Sequence, residues 1–578
     1  MSETGVGSAR RTFLGNAVKL GVGSALIGSS GGTRDAEGET AGSTQAAALP
    51  EIPARVFVDH DGTRLEPADR QGSRFTSGRA AVALVPGPAG TAVGVTCPRG
   101  PLSRVVLRFE TTFADDTLFL GDHWERGYGD LQWRYRQPER VMPWYFAAHH
   151  AASRRTFLAG VRTQPAALCF WTVDASGVSL WLDFRNGGSP SLPGEREIAA
   201  ATIVSATVSG ERPTTALTRF CRLLCPAPRL ASVPICGNNN WYYAYGRNFD
   251  ADAIRRDATL LAELASGHRN RPFCVIDAGW TPGSVCPGGP WTAGDPQRFP
   301  DMAGLAADVK RIGVRPGIWM RPTALMKVTE PRRLRAGPCT AEEKPLDLTL
   351  PENLELIRED VARVSSWGYE LIKHDFSTYD VFARWGFEMG AELTDGGWHF
   401  ADQSLTNAEV ILRLYRTLRA AAGDTVLLGC NTIGHLGAGL FEIQRTGDDT
   451  SGRIWERTRR MGVNTLAFRL PQHGTFFASD PDCAAHTAET PWELDRQFLD
   501  LVARSGTALF VSVDPRTIRP EQRAAFRAAM QTALSGGTPG GCEPLDWLYT
   551  TAPSRWRLGT DEVTYRWDEP SGAYPMRV

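Results

Sequence analysis

The chain has no excess of either charge. Its 578 residues carry 63 Lys and Arg against 64 Asp and Glu, a formal net charge of -1. A balance this even leaves no electrostatic footprint for nucleic acid or an anionic membrane surface. Paired CxxC motifs of the zinc-binding kind are missing too. The 11 cysteines are scattered, and Cys221 and Cys225, four apart on an expected helix, read as buried thiols. The 10 histidines are dispersed, and His149-His150 lacks the i, i+4 spacing that places two imidazoles on one helix face. No metal and no cofactor is expected. Nor is there a membrane span: the apolar stretch from Ala17 to Gly28 is too short and too rich in glycine.

What precedes that stretch is specific. Ala9-Arg10-Arg11-Thr12-Phe13-Leu14-Gly15 beside an apolar run is similar to a twin-arginine export signal of bacteria. It predicts a periplasmic or extracellular protein with no membrane insertion once the signal is removed. The Gly/Ser/Ala/Thr-rich residues up to about Ala48 read as a linker.

Hydrophobic residues at 42% and charged residues at 22% describe an ordinary globular chain, and its length calls for two or three domains. From 49 to 228 the texture is all-β: alternating runs at Ala80-Leu84, Val105-Phe109, Thr117-Phe119, Ser179-Phe184 and Ala201-Val208 predict a sandwich. From 229 to 538 strands alternate with helices. Strands are expected at Ile235-Trp241, Phe273-Ile276, Pro316-Met320, Glu370-His374, Val426-Gly429, Phe441-Arg445, Thr475-Phe477 and Leu509-Val513. Helices are expected between them at Asp250-Leu264, Met302-Ile312, Pro351-Trp367, Leu405-Ala421, Ile454-Met461, Pro491-Ser505 and Pro520-Leu534. Eight strands with intervening helices predict a (β/α)₈ TIM barrel, with a doubly wound open sheet as the alternative. The fifth-to-sixth connection shows little helix. Residues 539 to 578 alternate aromatic and polar side chains and read as a short C-terminal β-appendage.

Polar clusters fall at the ends of the expected strands, the face where a parallel barrel builds its site. Asp375 follows Ile372-Lys373-His374; Lys373 beside it favours the ionised carboxylate, as a nucleophile needs, or forms a structural Lys-Asp pair. In Arg445-Thr446-Gly447-Asp448-Asp449 one acid can be kept protonated by its neighbour, or the run caps the next helix. Asp277 and Trp280 follow the second strand, able to bond a hydroxyl and stack a sugar ring, or to cap a turn and pack. Asp480-Pro481-Asp482-Cys483 reads as a turn after the seventh strand. The 17 Trp tilt the reading towards a sugar cleft, since aromatic faces suit the apolar side of a pyranose.

The ordered set of these motifs resembles the melibiase group of retaining α-galactosidases. It comprises Val275-Ile276-Asp277-Ala278-Gly279-Trp280, Arg298-Phe299-Pro300 with Gly317-Ile318-Trp319, Ile372-Lys373-His374-Asp375-Phe376, Leu428-Gly429-Cys430, Arg445-Thr446-Gly447-Asp448-Asp449-Thr450 and Ser479-Asp480-Pro481-Asp482-Cys483. The resemblance implies a retaining exo-α-glycosidase acting on an oligosaccharide or glycoside, with Asp375 as nucleophile. It selects Asp449, just before Thr450, as acid/base rather than Asp448. Asp277 and Lys373 would bind ring hydroxyls, Arg445 and Cys430 would lie near the 2-position, and Trp280, Trp319, Asp480 and Asp482 complete the implied substrate site. A transglycosidase on the same scaffold and a non-catalytic carbohydrate-binding barrel are the alternatives. One departure stands out: the family's second acid after the second strand is Ala278 here. Loss of a charge-assisted hydrogen bond at that point changes sugar preference while leaving the catalytic pair in place.

Overall fold

The computed structural model describes residues 48–568, apart from 247, 284, 328, 329 and 340–342. The Arg10-Arg11 motif and its linker lie outside the described residues. Two antiparallel sheets open the described chain. One has six strands, with Arg104–Glu110 and Gly177–Asp183 at its centre; the other has eight, centred on Gly90–Thr96 and the 13-residue strand Glu197–Ser209. Each expected β-run falls within or across one of these strands. Val105, Leu107, Phe109, Leu180 and Leu182 pack between the sheets, so the fold here is a sandwich. The helix Pro213–Leu224 leads into the second part of the chain.

There the strands Cys236–Asn239, Phe273–Ile276, Arg315–Met320, Leu371–His374, Val426–Gly429 and Ile443–Arg445 pair side by side, all parallel. The seventh strand is interrupted. Ala478–Asp480 pairs with the sixth strand, whereas Cys483–His486 pairs with the eighth, Leu509–Val513, which returns to the first. The two pieces are the ends of one nine-segment sheet and are joined through Pro481 and Asp482, which closes a TIM barrel. Pro481 offers no N–H to the ladder, and Asp482 takes a left-handed backbone (φ 71°), so regular pairing stops there. Two expectations are corrected. The seventh strand is not Thr475–Phe477, which belong to the turn before it, and Asp480-Pro481-Asp482-Cys483 is a break inside the strand rather than a turn after it.

The expected helices are present with small shifts. Ala251–Leu264 is capped by Asp250, whose Oδ1 accepts from Ala253 N at 2.8 Å, and Pro520–Leu534 matches its expected bounds. The sixth connection differs. Where one helix was expected over Ile454-Met461, a single turn (Trp455–Thr458) widens into a π-helical stretch (Arg459–Asn464) and then Thr465–Arg469. Three short strands, Cys542–Pro544, Arg555–Leu558 and Asp561–Thr564, form the C-terminal sheet. Among the described residues no helix is long and apolar enough to cross a membrane.

Sandwich and barrel share one core. His435, after the fifth strand, stacks on Trp144 of the sandwich at 4.7 Å and bonds Val161 O through Nε2 at 3.0 Å. Arg469 reaches back to Asp122 Oδ1 at 2.8 Å. Burial holds three imidazoles neutral: His374 falls to about 3, and His435 and His473 to about 4. Among the described residues neither ring nitrogen of His374 has a hydrogen-bond partner. Between these values and the unfolded value near 6.5, the unfolded chain binds more protons, so stability is lost as pH falls below about 6.5. At pH 5 each imidazole accounts for about 2 kcal/mol of that loss. The urea midpoint is therefore expected to drop steeply between pH 6.5 and 5. His374→Phe should lower the slope by about one proton; an unchanged slope would show that His374 is not buried neutral.

Candidate active site

The carboxyl ends of the barrel strands carry the titratable side chains. Asp375 leaves the fourth strand, and its backbone N–H donates to Met320 O at 3.0 Å. Its side chain is gripped by three N–H groups. Oδ1 accepts from the backbone of Phe376 at 2.8 Å and of Asn431 at 3.2 Å, and Oδ2 accepts from Trp319 Nε1 at 3.0 Å. Phe376 adopts a left-handed backbone (φ 64°), which lets its N–H turn back onto the carboxylate. Burial by itself would push the Asp375 carboxyl up. The charges of Lys373 and Arg126 and the Trp319 N–H outweigh it, and the carboxyl lies below its ordinary value. Asp449 opposes that shift, so the two carboxylates lie within electrostatic reach of each other.

The second strand supplies Asp277, whose Oδ2 accepts from Lys373 Nζ and from Asn239 Nδ2, both at 2.6 Å. Its own N–H is fixed by Asn240 Oδ1 at 2.8 Å. Burial works against the charge on Lys373, but Asp277 favours it, and the net shift is upward. Ala278 is enclosed and brings no polar atom of its own beyond the backbone. Trp319 touches the Asp375 carboxylate, but Trp280 does not: it is fully buried and donates its indole N–H to Trp319 O at 3.0 Å. Trp280 supports Trp319 from behind, the packed alternative, and presents no face for stacking a ring.

Asp448 and Asp449 have different surroundings. Asp448 is committed on both oxygens, Oδ1 to Arg126 Nη2 at 3.1 Å and Oδ2 to Arg457 Nη2 at 2.6 Å. Asp449 Oδ1 lies 3.5 Å from Arg445 Nη2 and 3.8 Å from Arg126 Nη1. Arg445 also pairs with Asp482 at 2.8 Å and lies 3.5 Å from the Cys430 sulfur. Burial pushes the Cys430 thiol up, so it enters the cluster neutral. Asp482 works as a brace: its Oδ2 accepts from Thr450 N at 2.8 Å and from the Tyr242 hydroxyl, which fixes the residue after Asp449. Asp480 bonds Asp482 N at 2.9 Å, and burial, followed by the Asp482 charge, raises its carboxyl to about 7 although Arg445 opposes this.

Arg126, Glu125, Asn431 and Arg457 are absent from the sequence-derived set. Arg126 comes from the sandwich, on the loop after the strand Leu118–Gly121. That loop adds a short parallel bridge to the barrel: Gly127 N donates to Thr446 O at 2.8 Å, and Asp448 N to Gly127 O at 2.9 Å. Gly447 is needed where it packs on the π-helical stretch and the helix after it, since a Cβ there would meet Met461 O at 2.2 Å. Glu125 bonds Gly386 N at 3.0 Å and also takes up Asn431 Nδ2 and the Tyr128 hydroxyl. The sandwich thus completes the wall beside both aspartates. No local signal marks it: Trp124-Glu125-Arg126-Gly127 stands among Asp122, His123, Asp130 and Arg134, one charged loop segment among several. Among the described residues no group of three His, Cys, Asp or Glu is placed to hold a metal ion.

No protein-family model matches the chain, and no curated protein does. Solved structures share the fold. An α-galactosidase from Thermus thermophilus, in complex with p-nitrophenyl α-D-galactopyranoside, superposes with a TM-score of 0.56 at 20% identity, covering 84% of this chain and 97% of that one. A GH36 α-galactosidase from Geobacillus stearothermophilus gives 0.52 at 12% identity, with 87% and 82% covered. An α-galactosidase from Lactobacillus brevis gives 0.54 at 13% identity, with 84% and 69% covered. The arrangement of β-sandwich, TIM barrel and C-terminal sheet is the fold of the GH36 α-galactosidases.

Proposed function

We propose that the protein is a retaining exo-α-glycosidase of the α-galactosidase type. The observation that carries this reading is the state of Asp375: three N–H groups hold its carboxylate, Lys373 and Arg126 favour its charge against burial, and Asp449 stands within electrostatic reach. In the first step a carboxylate oxygen of Asp375 bonds the anomeric carbon as the bond to the leaving oxygen breaks, and Asp449 gives that oxygen its proton. In the second, water bonds the anomeric carbon, its proton passes to Asp449, and Asp375 departs as carboxylate. Lys373, Asp277 and Arg445 position the sugar hydroxyls.

Structural neighbours were solved with p-nitrophenyl α-D-galactopyranoside, stachyose and raffinose, which supports an α-linked terminal sugar of galactose type. Ala278 shifts the preference away from unmodified galactose, towards a pentopyranoside or a modified galactose. Aryl α- and β-glycosides of galactose, N-acetylgalactosamine and arabinopyranose form the test. Release of the aryl group from the α series is expected; silence across that series would remove the reading.

Removing a cation tests the electrostatics. Asp375 acts ionised, so activity is lost as pH falls through its lowered pKa. Lys373→Met takes away the largest opposing charge while burial remains, so the acidic limb of kcat/KM should move to higher pH. A limb that stays in place would show that Lys373 does not set it. We also propose that the Arg10-Arg11 segment exports the protein; Arg10→Lys with Arg11→Lys should retain it inside the cell, as read by fractionation.

A further inference from the structure

A polar cavity lies outside the catalytic cluster, lined by residues that follow the first, second and eighth barrel strands. It holds about 260 Å³, room for a small ligand rather than a single water. Its lining includes Ala253, Arg256 and Asp257 on one side of the helix Ala251–Leu264, Arg298, and Asp514 and Arg516 after the eighth strand. Asp277, Lys373, Asp375, Arg445 and Asp449 are not among these residues. One turn, Trp241–Ala244, serves both places. Tyr242 gives its hydroxyl to Asp482 in the catalytic cluster, while Tyr243 gives its own to Asp257 Oδ2 in the cavity at 2.5 Å.

Asp257 is 1% exposed, and among the described residues its Oδ1 has no hydrogen-bond partner. A carboxyl enclosed with one oxygen unmatched takes up a proton rather than keeping its charge. Burial lifts it to about 8; the Tyr243 hydroxyl opposes the rise, the Asp514 charge adds to it, and Arg256 and Arg516 oppose it. Cys274, on the second strand, feels Asp257 as well, but burial pushes its thiol up and it brings no charge. The cations are matched unequally. Arg516 grips Asp514 through Nε at 3.0 Å and Nη2 at 2.8 Å. Arg298 donates to Phe249 O at 3.2 Å and to Gly279 O at 2.7 Å, and Asp250 caps the helix. Arg256 makes no hydrogen bond or ion pair among the described residues, although its charge reaches both Asp257 and Asp514. A cation in the cavity would be repelled by that guanidinium, and an uncharged ligand would leave it unmatched. Two acceptor oxygens on one negative group suit both a free guanidinium and a carboxyl that still holds its proton.

We propose that this cavity binds a small oxyanion, a carboxylate or a tetrahedral group of the sulfate or phosphate kind, held by Arg256 and hydrogen-bonded by Asp257. The site stands independently of the glycosidase reading. Acetate and sulfate, both ionised from about pH 6 upward, serve as planar and tetrahedral probes in calorimetric titrations of the full chain. At least one should bind at pH 6.5, and the tighter of the two identifies the geometry of the group. Arg256→Ala should weaken that binding about tenfold or more. Arg256 is exposed and unbonded, so this variant keeps its fold. Between pH 7 and 9.5 the wild type should lose about tenfold in affinity as Asp257 ionises and repels the anion, whereas Asp257→Asn, which stays neutral and keeps a donor, should lose little. No binding of either probe, binding untouched by Arg256→Ala, or a fall with pH that persists in Asp257→Asn overturns the site. If Asp257→Asn does not fold, the Arg256→Ala comparison decides.

Discussion

Asp375→Ala is expected to reduce turnover of an activated aryl α-glycoside by roughly 10⁴-fold or more, the scale on which removal of a central catalytic group is felt. The loss follows from geometry rather than from unfolding. Trp319 Nε1, Phe376 N and Asn431 N all converge on this carboxylate, and among the described residues no second acid shares that grip. Alanine leaves a gap on the face from which the nucleophile attacks. Azide entering that gap should displace the leaving group directly and give a β-configured glycosyl azide, since no covalent intermediate precedes it. Circular dichroism of the variant provides the control. Near-normal turnover in a folded variant would end the assignment, and an α-configured azide would show that another residue is the nucleophile.

Much of this was legible in the sequence because barrel chemistry is local. A parallel strand buried on both faces reads as an apolar run, and the first polar residues after it mark the catalytic face. Asp277, Lys373, Asp375 and the run from Arg445 to Asp449 were marked that way, the resemblance alone chose Asp449 over Asp448, and the structure gathers these side chains into one cluster. Trp280 was misjudged because an indole after a strand looks the same whether it faces a ring or another indole. Its position behind Trp319 depends on Trp291 and Trp367, whose sequence positions are remote. The break at Pro481-Asp482 was read as a turn for a related reason. Turn residues and a strand interruption share one composition, and only pairing with two different neighbours separates them.

Arg126 lay beyond that logic. Barrel periodicity says nothing about a residue about 110 positions before the first barrel strand, and contact order of that size has no local signature. Its role appears only when the bridge between Gly127 and Gly447 sets the sandwich loop beside the loop after the sixth strand. The same contact accounts for the difference between the adjacent acids. Arg126 and Arg457 occupy both oxygens of Asp448, which makes that acid an ion-pair partner, and Arg126 also reaches Asp449 Oδ1 at 3.8 Å.

That difference predicts how the two acids respond to mutation. Asp449→Ala should cost about 10²–10⁴-fold on a substrate whose leaving group needs a proton, the usual range for a lost general acid. The cost should shrink on an aryl glycoside of an acidic phenol, which departs without help. Deglycosylation would then limit the rate, and azide should capture the covalent intermediate as an α-configured glycosyl azide, the anomer opposite to that from Asp375→Ala. Asp448→Ala should behave differently. It releases Arg126 and Arg457 rather than a proton donor, so the loss is about tenfold, one charge-assisted contact, and equal across leaving groups. If the dependence on leaving group followed Asp448 instead, the acid/base assignment would pass to that residue. Arg126 would then be the partner of the catalytic acid itself, placing the sandwich loop in direct contact with the proton being transferred.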